Sequence, residues 1–303
     1  MPAITKPKNV TWKEIFRRTL KEANEDDILG RSAQLSYYFF LGLFPMLISI
    51  IAVMSAFGHA DYTRERLLEF LAVVLPGSAS ELIQKTLMEV IHGAGGLKMS
   101  FGIIFSLWSA SAGMSAIMDT LNAEYEVSES RSFIRRSATA VGLSVACAFL
   151  MVCAVIIVLA GSSAAQPFSL ASSSVLLRVA LWPIALALVL LAFATIYYFA
   201  PDVKDQKWHW VTPGALAGLV LWLVVSLGLK AYLHFFDRYT ATYGSLGAVI
   251  VLLLWFYLTG ASVLMGAEIN SVLENAAADA GEPDAKHEGE KAPNQKAAAA
   301  RAG

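Results

Sequence analysis

The chain has 303 residues, 56% of them hydrophobic and only 16% charged, with a net charge of -1 and a mean hydropathy of +0.57. Soluble domains carry about 25% charged residues, so this composition excludes an ordinary soluble domain and points to a polytopic membrane protein. The net charge gives no nucleic-acid signal, because the charges are segregated by segment.

The first 33 residues are polar and too acidic for the leading region of a secretory signal, so none is expected there. Within them, Thr11 to about Asp27 is expected as an amphipathic helix. Thr11 and Glu14 have the spacing of a capping box. Trp12, Ile15, Phe16, Thr19, Leu20 and Ala23 share one face of a 3.6-residue period, with Lys13, Arg17, Arg18 and Lys21 mostly off it. Such a helix suits either an anionic leaflet or the side of a helical bundle, and the two are compatible.

Six apolar runs follow, each long enough for a hydrocarbon core of about 30 Å. They cover roughly 34–57, 100–121, 137–160, 175–199, 211–234 and 244–270. The first carries Pro45 in its middle, where a kink is expected. Between the first and second lies a polar connection, 58–99. Tyr62–Leu75 and Ser78–Ile91 within it are expected as an amphipathic helical hairpin broken at Pro76-Gly77. The second run is rich in small residues, with Ser109 and Gly113 in small-xxx-small spacing, and is expected at the centre of the bundle. The third is almost uniformly apolar and suits lipid contact. It holds both cysteines, Cys147 and Cys153, whose spacing puts them on different faces, so neither a disulfide nor a metal pair is expected. The fourth holds Pro183. The fifth opens Thr212-Pro213-Gly214, with Gly214 and Gly218 again spaced for close helix approach. The sixth has no Asp, Glu, Lys, Arg or His between Ser245 and Ala267. Its Gly244, Gly247, Gly260 and Gly266 are further packing candidates. Residues 276–303 are of low complexity and are expected to be a disordered tail.

Lys and Arg set the orientation. Segments 1–33, 122–136, 200–210 and 276–303 hold sixteen of the 23, whereas 58–99, 161–174 and 236–243 hold five. The positive-inside bias therefore places both termini in the cytoplasm, with six spans between. The expected class is all-α: a 1–33 amphipathic arm, a 34–275 bundle and a 276–303 tail.

Ionisable groups in or near spans are the functional candidates. On the cytoplasmic face these are Arg31, Gln34, Asp119, Asn122, Glu268 and Asn270, expected to converge into a polar cluster that serves as a gate or a head-group site. Water-wetted interface residues are the plainer alternative. On the outer face the candidates are Lys230, His234, Asp237, Arg238 and Tyr243, suited to an anionic group, although Lys230 can simply snorkel. Most tyrosines, Tyr197 among them, fit an interfacial aromatic belt.

Enzyme motifs for phosphate loops, zinc hydrolysis, nucleophile elbows and thiol redox chemistry are absent. The histidines at 59, 92, 209, 234 and 287 have no metal-ligand spacing. No catalytic residue, cofactor, metal or nucleic-acid partner is expected.

Four stretches together resemble the YihY/BrkB family of bacterial inner-membrane proteins: SAQLSYYFFLGLFPMLISIIAV, LWSASAGMSAIMDTLNAEYEV, YYFAPDVKDQKWHWVTPGALAG and TYGSLGAVIVLLLWFYLTGASVLMGAEIN. The resemblance covers Trp12 to Asn275. It implies a six-span plasma-membrane protein from a family with names for virulence, serum resistance and an old ribonuclease BN label. The suspected roles lean towards export or lipid handling, and no catalytic residues carry over. The expected partners are the lipid bilayer and a phospholipid or other amphipathic substrate. The alternative is a scaffold that holds an envelope protein through the 58–99 hairpin.

Overall fold

The computed structural model describes residues 10–56, 84–85, 96–163, 171–203, 212–235, 245–281 and 285. Seven helices make up this described part: α1 Trp12–Glu25, α2 Ile28–Ala56, α3 Gly96–Glu124, α4 Phe133–Ser163, α5 Ala171–Phe199, α6 Pro213–Phe235 and α7 Ser245–Asp279. Four of them contain stretches long and apolar enough to cross a membrane: Phe133–Ala154, Leu181–Phe199, Pro213–Leu233 and Leu246–Asp279. The expected hairpin over Tyr62–Ile91 lies outside the described residues, apart from Gln84 and Lys85, which are helical.

Local chemistry explains where the helices begin. Thr11 caps α1, its hydroxyl accepting from the Glu14 amide at 3.3 Å. Glu14 does not reach back, as a capping box would have it. Its carboxylate takes Arg17 and Arg18 at 3.1 and 3.2 Å. Asp27, at φ 52°, turns the chain between α1 and α2. Its side chain accepts from the Gly30 amide at 3.3 Å, which lets α2 start at Ile28 rather than at Gln34. The α2 helix runs unbroken through position 45.

The long helices pack as a closed ring. Helix α3 lies between α2 and α4, α5 joins α4 to α6, and α7 joins α6 to α2. Helix α7 also touches α3 across the ring and α1 at its end, so it has more helical neighbours than α3, which the sequence had placed at the centre. Small residues bring the backbones close. A Cβ on Gly113 would stand 3.3 Å from Tyr38, and one on Gly260 3.4 Å from Leu35, both on α2. A Cβ on Gly214 of α6 would overlap the Gly266 carbonyl oxygen of α7.

Helix α7 continues past residue 275. Ala276, Ala277 and Ala278, assigned by sequence to the disordered tail, are 0%, 5% and 5% exposed. Alanine reads as low complexity by composition, yet it is the strongest helix former and admits a close neighbour. That neighbour is α1: Ile15 packs on Val272, Leu273 and Ala276, and Arg18 meets Asp279 at 3.2 Å.

Candidate functional site

The expected cytoplasmic cluster divides into three separate arrangements at one end of the bundle. The first is a clasp. Asn122, near the end of α3, donates to the Glu129 carboxylate at 3.1 Å and accepts from the Asp202 amide at 2.8 Å. Arg131 bridges Glu129, at 2.6 and 2.8 Å, and the carbonyls of Phe199 and Ala200, at 3.2 and 2.8 Å. The α3–α4 connection is thereby fastened to the end of α5. Partial burial works against ionisation of Glu129, but the Arg131 hydrogen bonds and charge outweigh it and hold the carboxyl below its usual range.

The second is a cap. Asn270 of α7 accepts from the Gly214 amide at 2.8 Å and donates to the Thr212 hydroxyl at 3.0 Å. The first turn of α6 is thus satisfied by a side chain from another helix. Gly214 and Gly218 lie against Gly266 and Ser262 of α7, and this glycine notch admits Tyr197 of α5. The Tyr197 hydroxyl donates to the Val263 carbonyl at 2.6 Å. Tyr197 is 2% exposed, so it is a buried helix tie and not part of an aromatic belt.

The third is a buried acidic centre. Glu124 at the end of α3 and Glu268 of α7 are 4% and 0% exposed, and Glu274 lies about 1.7 turns further along α7 at 2%. Among the described residues neither carboxylate oxygen of Glu124 has a hydrogen-bond partner. The Glu124 carbonyl accepts from Ser271 at 2.7 Å, which holds α3 against α7. The charges of Glu268, Asp26 and Arg31 all act on Glu124. Tyr125 is buried beside it. Arg31 is half-buried, its Nε donating to the Asp26 carbonyl at 2.8 Å. Burial pushes the Asp26 carboxyl up by more than Arg31 draws it down.

Two expected members stand apart. Asp119 is exposed and holds Arg136 of α4 at 2.7 and 2.8 Å, and Gln34 is exposed on α2. Of the outer candidates, Lys230 is exposed near the end of α6. The His234 side chain, Asp237, Arg238, Tyr243 and Gly244 lie outside the described residues. Gly247 is buried in α7, and Ser109 is buried where α3 meets Gly42 of α2. The sequence had not singled out Glu124, Tyr125 or Glu274. A signal was present in α7, where Glu268, Ser271 and Asn275 repeat at helical spacing across the expected end of the span.

Comparison with known proteins adds the family context. The family described as Virulence factor BrkB matches residues 19–292. The ribonuclease-like protein YfkH of Bacillus subtilis (strain 168) is 35% identical over 267 residues, covering 86% of this chain and 94% of that protein. A UPF0761 membrane protein of Xanthomonas oryzae pv. oryzae (strain PXO99A) is 27% identical over 276 residues, and one of Xanthomonas campestris pv. campestris (strain 8004) is 26% identical. This chain spans 63% of the length of those Xanthomonas proteins. No solved structure matches.

Proposed function

The chain belongs to the BrkB family, and on that premise we propose that it is a six-span bacterial plasma-membrane protein, both termini cytoplasmic, that moves or handles an amphipathic, lipid-like substrate. The observation that carries this reading is the burial of Glu124 and Glu268 where α3 meets α7 across the ring. Burying a carboxylate costs several kcal/mol, and apolar side chains pack such an interface at no such cost. A bundle that only had to hold together would have little use for two. Ionisable groups enclosed at a membrane-protein helix junction are instead characteristic of substrate and ion paths. A lipid substrate needs polar groups only for its head and apolar surface for its tails, which agrees with a sixth span without Asp, Glu, Lys, Arg or His between Ser245 and Ala267.

We do not carry the ribonuclease-like name of the Bacillus relative to this chain. The converging groups are carboxylates and phenols enclosed by helices, and a polynucleotide cannot reach them. The interlocked glycines of α6 and α7 favour a second reading, a non-transporting scaffold for the envelope.

The two readings part in vesicles holding the purified full chain. The lipid reading expects labelled phospholipid to cross faster than in empty vesicles. It also expects Glu268→Gln and Glu124→Gln, which keep shape and remove the ionisable group, to slow crossing about tenfold, equivalent to about 1.4 kcal/mol in the barrier, without loss of folded protein. No excess crossing with either anionic or zwitterionic lipids would sink it and leave the scaffold.

A further inference from the structure

The broad apolar face of α1 is used on only one side. Ile15 and Thr19 are 3% exposed, and Ile15 packs on α7. Trp12, Phe16 and Leu20, at i, i+4 and i+8, are 61%, 65% and 50% exposed. Three large apolar side chains in one row, beside the side through which the helix docks, form an exposed apolar surface.

The rest of the helix says what covers it. At about 100° per residue, the order around α1 runs from the docked side to the Trp12 row, then to Lys13, Arg17 and Lys21, and then to Glu14 and Glu25. Arg17 and Lys21 are 77% and 73% exposed, and their ion pairs, to Glu14 at 3.1 Å and Glu25 at 3.3 Å, lie on the side away from the apolar row. Apolar, then basic, then acidic is the order of a helix lying in a membrane interface. Apolar groups sit among the upper acyl chains, cations snorkel to the phosphates, and acids face water. A protein partner would not need that gradation.

We infer that the Trp12–Phe16–Leu20 row of α1 lies in the inner leaflet and that Lys13, Arg17 and Lys21 bind anionic phospholipid head groups beside it. Lipid and bundle then grip α1 from adjacent sides. The turn that follows carries Asp26, and Arg31 lies one turn beyond it, so bound lipid also steadies the groups whose charges act on Glu124. This rests on the membrane reading of the bundle, and not on which substrate it moves.

The test uses the full chain in lipid nanodiscs, with Cys147 and Cys153 replaced by alanine and single cysteines carrying an environment-sensitive fluorophore. Phe16→Cys and Leu20→Cys report on the row, Glu25→Cys on the exposed acidic side of α1, and Leu227→Cys on the 66% exposed outer side of α6. Labels at 16 and 20 should be quenched several-fold more by spin-labelled lipid than the label at 25. The difference should grow from phosphatidylcholine to phosphatidylglycerol discs and shrink with Lys13→Glu, Arg17→Glu and Lys21→Glu together. Free access of aqueous iodide at 16 and 20, equal to that at 25, would overturn the inference. So would shielding from both quenchers, which would mean that another protein surface, such as a second copy, covers the row. If the label at 227 also escaped lipid quenching, the membrane reading itself would fall, and the inference with it.

Discussion

Asn122 and Asn270 show how a polar residue at a span end can be structural without being idle. Each satisfies backbone groups of a different helix, Asn122 at Asp202 and Asn270 at Gly214. An unmet buried amide costs about 1–3 kcal/mol, so these contacts set which helix ends meet. Glu129 extends the clasp and makes it sensitive to acid. Its carboxyl titrates below the ordinary range in the folded chain, so its contribution is present above the unfolded pKa and is lost as pH falls through the folded one. Thermal unfolding of the detergent-solubilised protein should therefore show a midpoint that falls on acidification. Glu129→Gln should be less stable at neutral pH and should lose part of that dependence. An unchanged pH profile in the variant would remove Glu129 from the acid response.

At the scale of elements, the contact of α6 with α7 tests the fold most sharply. A Cβ at Gly214 overlaps the Gly266 carbonyl and stands 2.6 Å from the Asn270 side chain, so backbone and cap would both have to move. Gly214→Ala should cost about 1–3 kcal/mol or more. Gly142→Ala on α4 meets nothing within 4 Å, and should gain about 0.5–1 kcal/mol from helix propensity. Unfolding midpoints of the two variants should move in opposite directions, and equal shifts would contradict the close α6–α7 approach. The spacing of Gly214 and Gly218 was legible in sequence because helical period alone puts them on one face. Their partners on α7, and the use of the notch by Tyr197, were not legible. A one-dimensional pattern does not say which helix faces which, and a tyrosine near a span end has the same composition in a belt as in a tie.

For the whole molecule, the decisive quantity is the asymmetry of Lys and Arg between alternate connections, sixteen against five. It predicts that reporters fused after residue 281 and before residue 10 are both active only in the cytoplasmic configuration, and that a cysteine in the 236–243 connection reacts with an impermeant reagent from outside. A reporter at either terminus that reads as external would refute the six-span arrangement. Helix α1 docks on the end of α7, so the start of α2 and the end of α7 lie at one end of the bundle.

Hydrophobic run length and charge asymmetry are properties of the chain itself, and a bilayer responds to them directly. The all-helical class, the positions of the long helices and the family resemblance were therefore available from the residues alone. Helix ends depended on partners. Helix α2 starts early because Asp27 caps it, and α7 runs late because α1 covers its alanines. The polar residues depended on partners even more. Asp119, Asn122, Glu268 and Asn270 look alike as polar groups near span ends, yet one holds an exposed arginine, two fasten helix ends, and one is buried where α3 meets α7. Only tertiary packing separates them, because burial and pairing arise from helices brought together from distant parts of the chain.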